Sequence, residues 1–519
     1  MSNDARRAPD APPTTPARGE LHARTIARYA VGSIGTGGFA TLPGLVLTYY
    51  LTDNLGVTAL LAGVIVTAAK VWDVLIDPVI GSLTDRDLAR HGTRRRLMLV
   101  GSLALPVLFA LTFAVPPALG PAIGALWVLV AFVATATAFS LFQIPYIALP
   151  AELTDGYDAR TRLLTWRVVV LTVAILLFGA GGPALRSLTG DPTTGYLLMG
   201  VVAGVTIGLG MLVATGSARH AATRRPNAMA DAGLAETADL IGEAVTGIPL
   251  PDPADASAEI GRSADESAST DPHNGGSPQN GRAQAGVAET FRAAASALRR
   301  SQPFRALLGT FFLQALATGL MLAGAQYFAT WVMESEDAVT LLFVALIAPA
   351  LFAAPGWGWV SSRIGKERAF AIASVVFAFA ALATLGALWS PGSWLYGAVG
   401  IAGIAYAGMQ SLPMAMLPDV IAHAAAHGQG RAGAFGGVWT AGETTGFAFG
   451  ATILSIVLAA TGYASSTAGQ AVVQPDAAVT GIVVSFSVIP AALIAVSLVT
   501  LARYRLRRAD IDAVADLGR

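Results

Sequence analysis

Apolar residues run along this chain in long blocks separated by short polar breaks. Blocks of spanning length fall near residues 26–51, 58–82, 95–117, 121–149, 163–188 and 193–215. They resume near 302–332, 338–361, 368–389, 393–417, 432–461 and 478–503. A helix rises about 1.5 Å per residue, so each block covers the roughly 30 Å of a bilayer's hydrocarbon. The pattern predicts an all-α polytopic membrane protein with twelve transmembrane helices. Residues 217–300 interrupt it. They are rich in Ala, Asp, Ser, Gly and Pro, too polar to bury a core, and are expected to be mostly disordered. Val287 to Arg300 regains a helical period with basic residues, which suits either a short helix on the membrane surface or a plain linker. The expected organisation is a disordered tail over 1–25, a six-helix half over 26–216, the middle loop over 217–300, a second six-helix half over 301–504, and a tail over 505–519.

Charge sharpens this picture. Only 13% of the 519 residues are charged, about half the share in a globular protein. Lys and Arg balance Asp and Glu at 33 each, so nothing in bulk points to nucleic acid. No cysteine is present, which removes disulfides and thiol chemistry. The six histidines fall in polar segments without metal-ligand spacing. Basic residues sit in alternate loops. One set carries Arg86, Arg90, Arg94, Arg95 and Arg96, then Arg160 and Arg162, then Arg363, Lys366 and Arg368, then Arg431. The other set holds only Arg186. The positive-inside rule makes the first set cytoplasmic, with both termini on the same side. A multi-pass protein of the cell membrane is expected, its surroundings being lipid, with no obligatory protein partner implied.

The most informative block runs from Lys70 to Gly81, Lys-Val-Trp-Asp-Val-Leu-Ile-Asp-Pro-Val-Ile-Gly. Lys70, Asp73 and Asp77 lie inside a spanning segment, where one charge costs about 2.5–3.5 kcal/mol on insertion scales. Asp73 and Asp77 are four apart and share a helix face. Two carboxylates there repel unless a cation or proton lies between them. Pro78 frees a backbone carbonyl nearby. The block reads as a cation site; a helix end whose acids reach water is the plainer alternative.

The two halves echo each other. Pro145-Tyr-Ile-Ala-Leu-Pro150-Ala-Glu152 closes the fourth span, and Pro413-Met-Ala-Met-Leu-Pro418-Asp419 closes the tenth. Six plus six with a long middle loop is the layout of a transporter whose solute binds between two like-oriented halves. Trp72-Asp73-x-x-x-Asp77-Pro78-x-x-Gly81, Asp85-Arg86, the Arg94–Arg96 cluster, Pro145-Tyr146 through Thr154, Trp166-Arg167 and Met416-Leu-Pro-Asp419 resemble the major facilitator superfamily. Within it they resemble the glycoside–pentoside–hexuronide:cation symporters, the melibiose-permease-like family. The resemblance implies that Asp73 and Asp77 hold the coupling cation, Na⁺ or H⁺, with Ser140 completing the site. It implies that Arg167 lies beside the solute and Lys70 near the cation. No cofactor is implied beyond the coupling ion.

Several positions depart from that family's pattern. Gly37 stands where a helix-one acid would bind sugar, Gln143 and Ile147 stand for a helix-four acid and tryptophan, and Thr444 stands for a helix-eleven lysine, with Glu443 beside it. The acids and the ring platform for a galactosyl unit are missing, which points to a different, less hydroxylated solute. Gln143, Tyr146, Arg167, Gly37 and Thr444 are the candidate solute contacts; for Tyr146 and Trp439, packing is the competing role. Arg94 and Arg95 form either a gate with Asp85 or simple topogenic charge. Glu152 and Asp419 either pair with Arg162 and Arg431 across the halves or are solvated. Glu443 is a proton carrier or a partner for Lys70 or Arg167. The expected function is cation-coupled symport of a small organic solute. The alternative is a proton-coupled antiporter exporting a drug or metabolite. No triad, metal cluster or nucleotide loop suggests an enzyme.

Overall fold

The computed structural model describes residues 22–153, 157–246, 299, 301–427, 432–470 and 472–506. The described residues are almost entirely helical. In the first half, α1 (Ala23–Val31) and α2 (Ser33–Tyr49) form one broken span that ends in a π-turn over Tyr50–Asn54. Then come α3 (Ala59–His91), α4 (Arg95–Thr112), α5 (Gly120–Leu153), α6 (Tyr157–Arg186) and α7 (Pro192–Thr246). In the second half follow α8 (Gln302–Trp331), α9 (Ala338–Ile364), α10 (Lys366–Ala383), α11 (Trp394–Ala426) and α12 (Ala432–Ala460). A last span is broken at Ser487 into α13 (Asp476–Phe486) and α14 (Val488–Ala502).

Eleven spans among the described residues are long and apolar enough to cross a membrane. The expected tenth span is α11, which is 33 residues long but diluted by Gln410, Ser411 and Asp419. Helix α7 continues well beyond its apolar block, to Thr246, into the loop where the composition suggested disorder. That extension is rich in Ala, the strongest helix former. The surface-helix reading of Val287–Arg300 falls outside the described residues apart from Arg299.

Packing repeats between the halves. In the first, α2 packs on α6, α3 on α5, and α4 on both α5 and α7. In the second, α8 packs on α12, α9 on α11, and α10 on both α11 and α14. Each pair maps onto its counterpart six spans later, which is the expected two-fold repeat. Small residues permit the closest crossings. A Cβ on Gly450 of α12 would sit 2.3 Å from the Leu320 backbone nitrogen of α8, so those backbones touch directly. The halves meet along α2–α8, α3–α12 and α6–α9, leaving α3 and its acids at the seam.

Candidate cation and solute site

Helix α3 spans about 50 Å, and Asp73 lies about 21 Å from its first residue, near the depth of the bilayer's middle. Lys70 Nζ donates to Asp73 Oδ2 at 3.1 Å, a pairing that i,i+3 spacing allows. The Lys70 ammonium also lies 5.5 Å over the Phe39 ring of α2. The other oxygen of Asp73 and the Oδ1 of Asp77 are both buried without a hydrogen-bond partner among the described residues. Such oxygens are uncommon and costly. The Ser140 hydroxyl of α5 sits beside Asp77. Pro78, inside α3, leaves the Val74 carbonyl without its helical donor. Two carboxylates and one ammonium leave this trio one negative charge, so a single cation balances it. All candidate donors are oxygens, the ligand type of hard cations.

One turn along α5 from Ser140, the Gln143 side-chain oxygen accepts from Thr36 Oγ1 at 2.8 Å. Tyr146 is fully buried. Its hydroxyl lies 3.1 Å from Ser33 Oγ and donates to the Tyr29 carbonyl at 2.8 Å, and its ring stacks on Tyr29 at 4.6 Å. Arg167 of α6 lies over the same ring at 5.5 Å. Tyr146 therefore joins α1, α2 and α5 in this conformation. Gly37 is buried against α6, where an added Cβ would lie 2.8 Å from the Ala174 Cβ. Thr444 and Glu443 are half-buried on α12, with Tyr406 of α11 close to Glu443. Lys70 pairs with Asp73 rather than with Glu443, and no basic side chain lies within ion-pair distance of Glu443 among the described residues. Trp439 is buried and stacks on Phe311 at 4.4 Å, a packing role.

At the basic face, Arg94 binds Asp85 at 2.9 Å and Glu152 at 2.7 Å, tying α3, α4 and α5 together. Burial opposes the Arg94 cation, but the two carboxylates outweigh it and raise its pKa. Asp419 binds Lys366 at 2.5 Å. Glu152 and Asp419 thus pair within their own halves, which corrects the expected pairing across the halves. Each acid has a base of its own half within ion-pair distance, and the polar bonds seen to join the halves among the described residues lie at mid-depth and at the opposite face. Arg162 is exposed, and Arg431 lies outside the described residues. Arg95 sits at the start of α4 and forms no ion pair with Asp85, which Arg94 takes.

The opposite face is sealed by a network that the apolar pattern does not reveal. Asp53 of the π-turn accepts from Tyr463 at 2.6 Å and from Thr52 at 2.5 Å. The Thr52 hydroxyl has one proton, so Tyr327 donates to it at 2.6 Å. Trp331 Nε1 donates to Tyr463 at 2.7 Å. Burial, then the Asp53 charge, push the Tyr463 phenol up, so it keeps the proton it donates. Ser466 and Ala468 amides donate to the Thr52 and Asn54 carbonyls at 2.9 and 3.0 Å. Beside them the buried Arg186 reaches Glu336 at 2.9 Å and Tyr196 at 3.0 Å. At mid-depth Thr67 and Thr452 hydrogen-bond across the seam. The sequence does carry signals of this face: Asp53 closes an apolar span among tyrosines, and Arg186 is the lone basic residue of its set of loops.

Two like helical halves meeting around buried acids, joined by a polar network at one face, define a membrane transporter fold. The family described as MFS/sugar transport protein matches residues 28–247 and 273–508, and the chain belongs to that family. An uncharacterized symporter of Synechocystis sp. is 32% identical over 176 residues, 32% of this chain and 32% of that protein. A putative glycoside/cation symporter of Escherichia coli is 28% identical over 172 residues, 32% of this chain and 37% of that protein. The aligned stretches thus span about a third of these curated relatives. Among solved structures, one from work on substrate recognition in proton-dependent oligopeptide transporters overlays with TM-score 0.58 at 14% identity, covering 95% of this chain and 99% of that one. The xylose transporter XylE of E. coli, in a partially occluded inward open conformation, overlays with TM-score 0.54 at 14% identity, covering 93% of this chain and 99% of that one. These two are likenesses of fold.

Proposed function

We propose that the protein is a secondary active symporter of the cell membrane, moving a small sugar-like solute inward with Na⁺ or H⁺. Twelve spans, with α11 as the tenth, leave both termini and the middle loop in the cytoplasm. The observation that carries the reading is the pair of orphaned oxygens on Asp73 and Asp77 at the seam of the halves, one negative charge in excess. Asp73, Asp77 and Ser140 hold the cation; Gln143, Arg167 and Thr444 face the solute path. The names of the symporter relatives support the coupling and the glycoside class. With the basic face cytoplasmic, the sealed network at the opposite face supports an inward-open state. Cation binding draws α3 toward α5 and completes the solute pocket. Proton-coupled export through Glu443 is the competing reading, since that half-buried acid has no basic partner within ion-pair distance among the described residues.

The reading is tested by cation-dependent binding in proteoliposomes across a panel of glycosides, pentosides and hexuronides. At least one member should bind more tightly with cation present; a panel with no cation-dependent binder speaks against the class. Melibiose should not bind, because Gly37, Gln143 and Ile147 supply neither acids nor a ring platform. Saturable melibiose binding at micromolar to low-millimolar strength contradicts this. For orientation, protease should cleave the 217–300 loop only in inside-out vesicles, and cleavage in intact cells overturns the topology.

A further inference from the structure

A cavity of about 460 Å³ opens at the basic face between α1, α4 and α7, away from the seam. Three arginines line it, one from each helix: Arg28, Arg95 and Arg219. Its apolar part is Leu99, Leu212 and Val213. Among the described residues no acid lines it, and Asp85 and Glu152 of the same face are engaged by Arg94. Among the described residues the Arg95 Nε has no hydrogen-bond partner, so this guanidinium keeps an unused donor while it lines the cavity. Such a buried donor costs stability unless it is satisfied. Guanidinium forks match phosphate oxygens bidentately.

The place narrows the ligand. Helices α4 and α7 pack on each other, and α7 packs on α1, at the membrane edge, and the aliphatic floor lies on the bilayer side of the arginines along both helices. We propose that this cavity binds the phosphate of an anionic phospholipid, with the acyl chains running along Leu99, Leu212 and Val213. Bridging α1, α4 and α7 in this way braces the first half while the second moves against it.

The test uses the full chain in detergent, titrated with phosphatidylglycerol, phosphatidylcholine or inorganic phosphate, and read by thermal unfolding and by lipid retained in native mass spectrometry. Phosphatidylglycerol should raise Tm saturably and be retained; the other two should not. Combined Arg28→Gln, Arg95→Gln and Arg219→Gln should weaken the phosphatidylglycerol response at least about tenfold, since removing even one charge-assisted hydrogen bond has an effect of that order. Arg363→Gln, on a side chain stacked over Trp359 in the other half, should leave it unchanged. If the triple variant does not fold, Arg95→Lys serves: it keeps the charge, removes the fork, and should weaken retention measurably. An equal response to phosphatidylcholine, an unchanged response in the variants, or saturation by inorganic phosphate at the same concentration as the lipid would each overturn the proposal.

Discussion

Asp77→Asn should abolish cation-driven solute accumulation while leaving weak, cation-independent solute binding. Without the Asp77 charge, Lys70 and Asp73 already balance, and the site loses its electrostatic demand for a cation. Asp73→Asn should act similarly by another route: Lys70, released from its 3.1 Å partner, turns to Asp77 and neutralises it. Coupling between two ligands is reciprocal and typically about 1–3 kcal/mol, or roughly 5- to 150-fold in affinity. That factor should disappear in both variants. Both should fold, since each removes a buried charge and adds none. The check is solute binding with and without Na⁺ at two pH values, beside accumulation under an imposed gradient. Unchanged cation-dependent accumulation by Asp77→Asn would transfer the coupling role to Glu443.

Asp53→Ala should open the sealed face. It strips the acceptor from Tyr463, held at the contact between the halves, while Thr52 falls back on the Thr48 and Tyr49 carbonyls. An unsatisfied buried group costs about 1–3 kcal/mol, and about 1.4 kcal/mol shifts a two-state population tenfold. The parted state at this face should therefore rise by roughly tenfold or more. The chain has no cysteine, so one introduced thiol reports cleanly. Ser455, buried against Gly63 at the α3–α12 crossing, is a suitable position. Ser455→Cys should react with a maleimide from the outside several-fold faster in the Asp53→Ala background. An equal rate would show that the network does not hold this face shut. Arg186→Ala should act in the same direction but more weakly, because its partner Glu336 is largely exposed and returns to water.

Much of the architecture was legible in the apolar blocks, because a membrane leaves the backbone few options besides helix. Asp73 and Asp77 stood out for the same reason: acids are costly there, and their spacing puts them on one face. What pattern could not supply was the conformation. Glu152 and Asp419 close matching spans, and their equivalence suggested partners across the halves. In this structure each takes a neighbour from its own half instead, Arg94 and Lys366. Asp53 sits where a span ends and a loop acid is ordinary; only burial by Tyr463, Tyr327 and Trp331, all distant in sequence, makes it a latch. Tyr146 and Gly37, read as candidate solute contacts, lie at packing surfaces between α1, α2, α5 and α6 in this structure.

The most direct test of the central claim is solute-driven cation movement. Protein is reconstituted into liposomes with no cation gradient and no membrane potential, and a transported solute is added outside. Symport through the Asp73–Asp77 site predicts that Na⁺ or H⁺ enters with the solute, and that Asp77→Asn gives no cation signal. Cation leaving as solute enters, or solute entering with no cation movement in the wild type, would contradict it.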